Sequence, residues 1–204
     1  MAFRVGVLIS GEGSNLQALL DQVHGRDDIE IACVASSRTG ARGLERATAA
    51  GVDAAVFAKA DHADRDAALG DWLDSQGVEL VVLAGFMEIL GEAFIRRFEG
   101  RLINVHPSLL PAFPGVRAIE QALDYGVRVS GVTVHFVDEG IDTGPVVMQE
   151  AFELPYARAV EDVERVTHEI EHRLLPRAVR LIATGAVSRD PSNPRVVRVE
   201  ERGA

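Results

Sequence analysis

The sequence is short of the features that mark secreted, membrane-bound or nucleic-acid-coating proteins. Cys33 is the only cysteine in 204 residues, so no internal disulfide can form. That usage fits a reducing cytoplasm. Basic residues are outnumbered, 21 Lys and Arg against 31 Asp and Glu, for a net charge of −10. Phosphate backbones and anionic bilayers repel such a chain, although a local basic pocket for a small anion is still allowed. No apolar run is long enough to span a bilayer. The first ten residues open directly into a strand pattern, without the layout of a secretion signal. Internal repeats and low-complexity tracts are absent. What is present is ordinary for a soluble globular chain, 47% apolar and 25% charged, at a length that suits one domain.

The chain divides by rhythm. Short apolar segments at 3–9, 29–35, 54–57, 80–84 and 102–105 alternate with helical patterns. The first helix is marked by Leu16, Leu19, Leu20 and Val23, and others cover 43–50 and 91–98. Asp61 is placed to cap a helix reaching about Gln76. Such alternation predicts βαβ units and a parallel sheet covered on both faces. After a helix at 117–125 the pattern changes to two strands, 130–137 and 146–154, joined by an acidic, Gly-containing turn. An antiparallel extension is expected there. A long helix follows, with Val160, Val163, Val166, Ile170, Leu174, Leu181 and Ile182 on its buried side, and Pro176 should kink or break it at about 3 kcal/mol. The tail after Gly185 is polar, with a small strand at 196–199. The predicted class is α/β, a Rossmann-like, mostly parallel sheet with an antiparallel extension.

In such sheets ligands bind beyond the carboxyl ends of the strands, and three unusual segments fall there. The stretch 103–115, INVHPSLLPAFPG, carries Asn104, His106 and three prolines. Strand alternation sets Asn104 and His106 on one side, and the prolines stiffen the loop after them. Gly11-Glu12-Gly13-Ser14-Asn15 joins a strand to a helix, where backbone N–H groups attract phosphate. It is neither a dinucleotide fingerprint, since Leu16 stands where a third glycine would, nor a P-loop, so a monophosphate fits best. Glu12 is an objection unless it points away. The third segment is 86–90. Asp138, Glu139 and Asp142 make either a solvated acidic turn or the source of a carboxylate that pairs with His106 and raises its pKa.

Other patterns carry less. His168-Glu169-Ile170-Glu171-His172 matches the zincin spacing, but charged residues on an exposed helix face produce such matches by chance. Arg65 could hold an anion yet reads more simply as a surface charge, and His135 as a satisfied core histidine. Ser108 could join a Ser/His/Asp set, but no G-x-S-x-G elbow is present.

Taken together, VLISGEGSNLQALL, VVLAGFMEIL, INVHPSLLPAFPG and GVTVHFVDEGIDTGPVVMQ closely resemble the phosphoribosylglycinamide formyltransferases, folate-dependent enzymes of purine synthesis. The resemblance covers about residues 3–183 and implies the formyltransferase fold. It implies a single domain over 1–204, with a phosphate-binding α/β half at 1–100, a catalytic and folate-binding half at 101–185, and a tail at 186–204. It implies formyl transfer from 10-formyltetrahydrofolate to the amine of glycinamide ribonucleotide, without a metal. The implied enzyme is a cytoplasmic monomer or homodimer, with no nucleic-acid or membrane partner. Asn104, His106 and Asp142 match the family's catalytic residues. Gly13, Ser14 and Asn15 match the substrate phosphate loop, and Glu171 the ribose contact. Met87, Glu88, Ile89 and Leu90, with Asp138, Glu139, Gly140, Ile141 and Asp142, match the pterin pocket, and Arg65 a position near the folate tail. Three positions depart from the pattern. Glu88 stands where Arg or Lys is familiar, His168 where a Gln can help hold the phosphate, and Arg117 where His is expected. The alternatives are hydrolysis of 10-formyltetrahydrofolate, which the phosphate loop argues against, and a zinc peptidase built on 168–172.

Overall fold

The structure, a computed structural model, describes residues 1–59, 64–154 and 159–200. The chain forms two compact units, 1–104 and 105–204.

In the first unit, β1 (Phe3–Ile9), β2 (Ile29–Ser36), β3 (Asp53–Val56), β4 (Leu80–Leu83) and the start of β5 (Leu102–His106) lie parallel in the order β3-β2-β1-β4-β5. β4 is buried throughout and β2 nearly so, as expected of parallel strands covered on both faces. The connecting helices are α1 (Ser14–Gln22), α2 (Arg42–Ala49), α3 (Arg65–Ser75) and α4 (Glu92–Arg97). The chain first steps outward from β1 to β3, then returns to β4 on the other side of β1. Right-handed crossovers therefore put α1 and α2 on one face and α3 and α4 on the other, and each pair packs together. The reversal opens a crevice at the carboxyl ends of β1 and β4. There Ser10 N donates to Gly85 O at 3.1 Å, and Met87 N donates to Ser10 Oγ at 2.8 Å. The loops after β1 and β4 are thus tied to each other. The cap of α3 is Asp64, which accepts from Ala67 N at 3.1 Å, a bond worth about 1 kcal/mol. The expected cap, Asp61, lies outside the described residues.

The second unit contains α5 (Ala118–Tyr125), the antiparallel pair β6 (Val129–Phe136) and β7 (Val146–Glu153), α6 (Val160–Ala183), and a hairpin of β8 (Val187–Asp190) and β9 (Asn193–Val199). Helix α6 packs on β6, β7 and α5. One core cluster joins Ile119, Leu154 and Val163, with Leu123, Val127, Phe152 and Val160 against it. Val163, Ile170 and Leu174 are buried, as the periodicity predicts, whereas Val160, Val166, Leu181 and Ile182 are only half-buried. Pro176 does not break the helix. α6 runs through it unbroken, because Pro176 is buried beside Leu174, Leu175, Ala178 and Val179, and that burial offsets the lost backbone bond. The tail holds more structure than its polarity suggests: a two-stranded hairpin whose second strand packs on β7. Among the described residues, no helix is long and apolar enough to cross a membrane.

Cys33 sits in β2 with no solvent exposure, and burial pushes its thiol up to about 12. We expect an aromatic disulfide reagent at pH near 8 to leave the native protein unmodified and to titrate one thiol in denaturant. Prompt reaction of the native protein would contradict the packing around β2.

Candidate active site

The loop after β5 is held by hydrogen bonds as well as by its prolines. Thr133, fully buried on β6, donates from Oγ1 to Ser108 O at 2.7 Å. The same oxygen accepts from Leu110 N at 3.1 Å and from Gln149 Nε2 at 2.9 Å. One hydroxyl has one donor and two acceptor positions, and all three are used. Gln149 Nε2 also donates to Leu110 O at 2.8 Å, and Ser108 Oγ donates to Ala112 O at 2.5 Å. Ser108 is fully buried and so committed, which removes it as a nucleophile. The Leu110–Pro111 peptide is cis, and Phe113 has a positive φ of 52°.

This loop turns the Phe113 carbonyl onto His106. The imidazole ends β5, is 5% exposed, and donates from Nε2 to Phe113 O at 2.9 Å. Its Nδ1 lies 3.3 Å from Asp142 Oδ2. Asp142 has a φ of 53° in the loop between β6 and β7, a conformation that Asp tolerates better than most residues. Its Oδ2 also accepts from Gly115 N at 2.7 Å, so the carboxylate ties the ends of two loops together. On its far side, Oδ1 is 3.6 Å from Nε2 of His135, whose Nδ1 donates to Phe136 O at 2.8 Å. His135 is therefore more than a satisfied core residue. Two imidazoles each face a carbonyl on one nitrogen and share Asp142 on the other. Neither ring can donate to both of its acceptors unless it is protonated.

Burial dominates at His106 and pushes its pKa below the ordinary value; the Phe113 carbonyl and Asp142 pull it back, and His135 opposes them. Asp142 raises this pKa as expected, but the net direction is downward, because desolvation outweighs its pull. At Asp142 burial pushes upward, yet His135, the Gly115 N–H and the charge of His106 together hold the carboxyl below the usual range. Asn104 lies two residues before His106 on β5, half-buried. In the adjoining acidic turn, Thr143 Oγ1 donates to Asp138 Oδ1 at 2.6 Å and Gly140 N donates to the same oxygen at 3.2 Å, while Ile141 is exposed.

In the first unit, α1 begins at Gly13 without a side-chain cap, which leaves a positive helix end at Ser14 and Asn15. Gly13 has a φ of 71°, and a Cβ there would meet Gly43 Cα at 2.7 Å. Glu12 is turned aside: its carboxylate pairs with Arg42 at 3.2 Å, and its carbonyl accepts from Arg46 Nε at 2.9 Å. The objection it raised is thereby met.

Arg65 is not a surface charge. It is 6% exposed, donates to Ile89 O at 3.0 Å and to Asp66 Oδ1 at 2.5 Å, and lies 5.8 Å from the centre of the Phe86 ring. Asp66 Oδ2 accepts from Gly91 N at 2.6 Å, so the two residues clamp the segment 86–91. Arg65 Nη1 is buried without a hydrogen bond, and Glu88 Oε2 approaches it at 3.6 Å. Within the segment, Leu90 is buried, whereas Met87 and Ile89 are 67% and 84% exposed.

On α6, Glu171 is buried on the core face, and His168 and Glu169 are exposed. The motif is therefore not wholly a solvated face. The rings of His168 and His172 stack 6.1 Å apart, and Glu169 turns to Arg165 at 3.3 Å. Among the described residues, no group of three or more His, Cys, Asp or Glu side chains is placed to hold a metal ion. His135, Thr133 and Gln149 are the participants that sequence reasoning missed.

The formyl transferase family profile matches residues 3–179. A phosphoribosylglycinamide formyltransferase of Haemophilus influenzae is 40% identical over 186 residues, which is 89% of this chain and 88% of that protein. The chain is 46% identical over 194 residues to the trifunctional purine biosynthetic protein adenosine-3 of Drosophila pseudoobscura pseudoobscura. That match covers 91% of this chain but only 14% of that much longer protein. The crystal structure of glycinamide ribonucleotide transformylase 1 from Symbiobacterium toebii superposes with a TM-score of 0.93 at 46% identity, covering 98% of this chain and 95% of that one.

The two shifts predict how stability depends on pH. Because His106 titrates below its ordinary 6.5 when folded, the unfolded chain takes up a proton first as the pH falls, and stability declines from about pH 6.5 until His106 itself is charged. Stability from Asp142 is present above the ordinary carboxyl value of 3.8 and is lost as the pH falls through its lower folded pKa. Urea unfolding at pH near 7.5 and 5.5 should show a smaller decline for His106→Asn than for wild type. His172, also pushed down by burial, supplies a residual decline in both. Identical declines would refute the assignment.

Proposed function

The chain belongs to the formyl transferase family, and on that footing we propose that it transfers the formyl group of 10-formyltetrahydrofolate to the amine of glycinamide ribonucleotide. The observation that carries the reading is the buried His106, set between the Phe113 carbonyl and Asp142 at the end of β5, with Asn104 two residues earlier.

The residues present fit both substrates. The uncapped α1 terminus, with Glu12 turned away, suits a phosphate. Glu171 is the candidate for the ribose. Exposed Met87 and Ile89 offer apolar surface to a pterin ring, and Arg65 Nη1 offers a donor to a carboxylate tail. Glu88 competes for that donor.

The amine attacks as the neutral base, and negative charge develops on the formyl oxygen. Asn104 donates a neutral hydrogen bond to that oxygen. The proton that the attacking nitrogen sheds reaches His106 Nδ1 by way of Asp142, whose Oδ2 lies 3.3 Å from it. Once charged, His106 matches Phe113 O and Asp142 together and faces a developing negative charge, so it is stabilised when the barrier is highest. Its proton then goes to the departing nitrogen of tetrahydrofolate, and the resting state returns. Asp142 orients the ring and balances its transient charge. His135 supports Asp142 from behind.

The decisive measurement is absorbance-monitored turnover of the formyl donor with and without glycinamide ribonucleotide. Ribonucleotide-dependent turnover is expected; equal turnover without it would mean hydrolysis. Asn104→Ala, His106→Ala and Asp142→Ala should each lower kcat at least about a hundredfold. Near wild-type turnover in all three would overturn the roles assigned. Glu88→Gln should lower KM for the folate about threefold, with little change in kcat, by removing the carboxylate that competes for Arg65.

A further inference from the structure

The hairpin of β8 and β9 lies beyond the family match, which ends at residue 179. It brackets the loop that carries Asp142. At the entrance of that loop, Arg189 stacks over the ring of Phe136, the last residue of β6, with its guanidinium carbon 4.9 Å from the ring centre. At the exit, Arg195 Nη2 donates to Thr143 O at 2.8 Å. These ends are critical positions. The Phe136 carbonyl accepts a hydrogen bond from Nδ1 of His135, and Thr143 directly follows Asp142. The ends also touch each other, since a Cβ on Gly144 would lie 1.7 Å from Phe136 O. The hairpin is braced to do this. Asp190 accepts from Ser192 N and Oγ and pairs with Arg198, and β9 packs on β7. Within the loop, Asp142 holds a positive φ, and its carboxylate meets the Gly115 N–H and the two imidazoles.

We propose that the β8–β9 hairpin is a positioning element for the reaction. In this role Arg195 is a positioning residue that fixes the Thr143 peptide, keeping Asp142 aimed between His106 and His135. The inference deepens the formyl-transfer reading and rests on it only for the kinetic part of the test. An arginine fork is suited to the task, because it holds a carbonyl directionally through a planar donor group. Small displacements of a group that orients a catalytic base are costly in turnover. The charged groups around the loop are Asp138, Glu139, Asp142, Arg189 and Arg195, so loss of Arg195 also removes a cation from an acidic turn.

The test compares full-length wild type, Arg195→Ala, Arg195→Lys and Arg189→Ala/Arg195→Ala. Arg195→Ala should lower kcat about three- to tenfold, leave KM for the ribonucleotide unchanged and leave the thermal midpoint near wild type. Arg195→Lys should recover part of the loss, and the double variant should lose more than Arg195→Ala. Nitrogen NMR of the His106 and His135 rings, without substrate, should show both titrations displaced in Arg195→Ala. Wild-type kcat together with unmoved ring titrations would overturn the proposal, as would a lowered thermal midpoint with unmoved titrations in the folded fraction. If the wild-type protein transfers no formyl group, the functional reading fails by itself. The ring titrations then decide the hairpin's role alone.

Discussion

One carboxylate holds the second unit's chemistry in place. Asp142 accepts from the Gly115 backbone, lies 3.3 Å from one imidazole and 3.6 Å from another, and does so from a left-handed backbone position. The loop after β5, the loop after β6 and the end of β6 meet at this single side chain. A lone buried carboxylate would be pushed toward neutrality. Here the surrounding N–H groups and rings more than reverse that push, so it stays anionic and works as a fixed counter-charge. The arrangement places two imidazoles around one carboxylate, with carbonyls on the outer sides, so a second proton on either ring would find an acceptor.

The first unit obeys a different constraint. Its order, β3-β2-β1-β4-β5, requires the chain to reverse direction beside β1, and the reversal determines where loops can gather. Ser10 ties the two gathered loops together, and Arg65 with Asp66 clamps the second of them from α3. A buried guanidinium facing Glu88 and a backbone carbonyl is a demanding arrangement, and it persists because Asp66 compensates most of the charge.

Periodicity made most of the fold legible. The parallel strands, the antiparallel pair and the long helix lie where apolar rhythm places them, and four loop-centred motifs carried the family. Stretches governed by distant partners were not legible. Thr133 and Gln149 read as ordinary strand residues, since nothing local reveals that they fasten a loop more than twenty residues earlier. His135 looked like a core histidine because its partner lies in a turn that folds back on it. Arg65 was misjudged because a charged residue at a helix start is usually solvated. Pro176 was expected to kink or break α6 because the cost of a helical proline is local, whereas the burial that offsets it is not. Of the hairpin after Gly185 only the strand at 196–199 was legible, because the hairpin is held through Arg189 on Phe136, Arg195 on Thr143 and β9 on β7.

The mutual contact of Gly13 and Gly43 has an evolutionary consequence. A Cβ on Gly43 would meet Ile9 Cδ1 at 2.4 Å, and one on Gly13 would meet Gly43 Cα at 2.7 Å. The backbone of Gly43 excludes a side chain at Gly13, whereas at Gly43 the obstacle is the end of the Ile9 side chain. A lineage or a library that seeks to reshape the loop after β1 by substitution at Gly13 must therefore also rebuild the start of α2. Single-step paths through Gly13 are closed, and diversity should enter instead at the exposed Glu12 beside it.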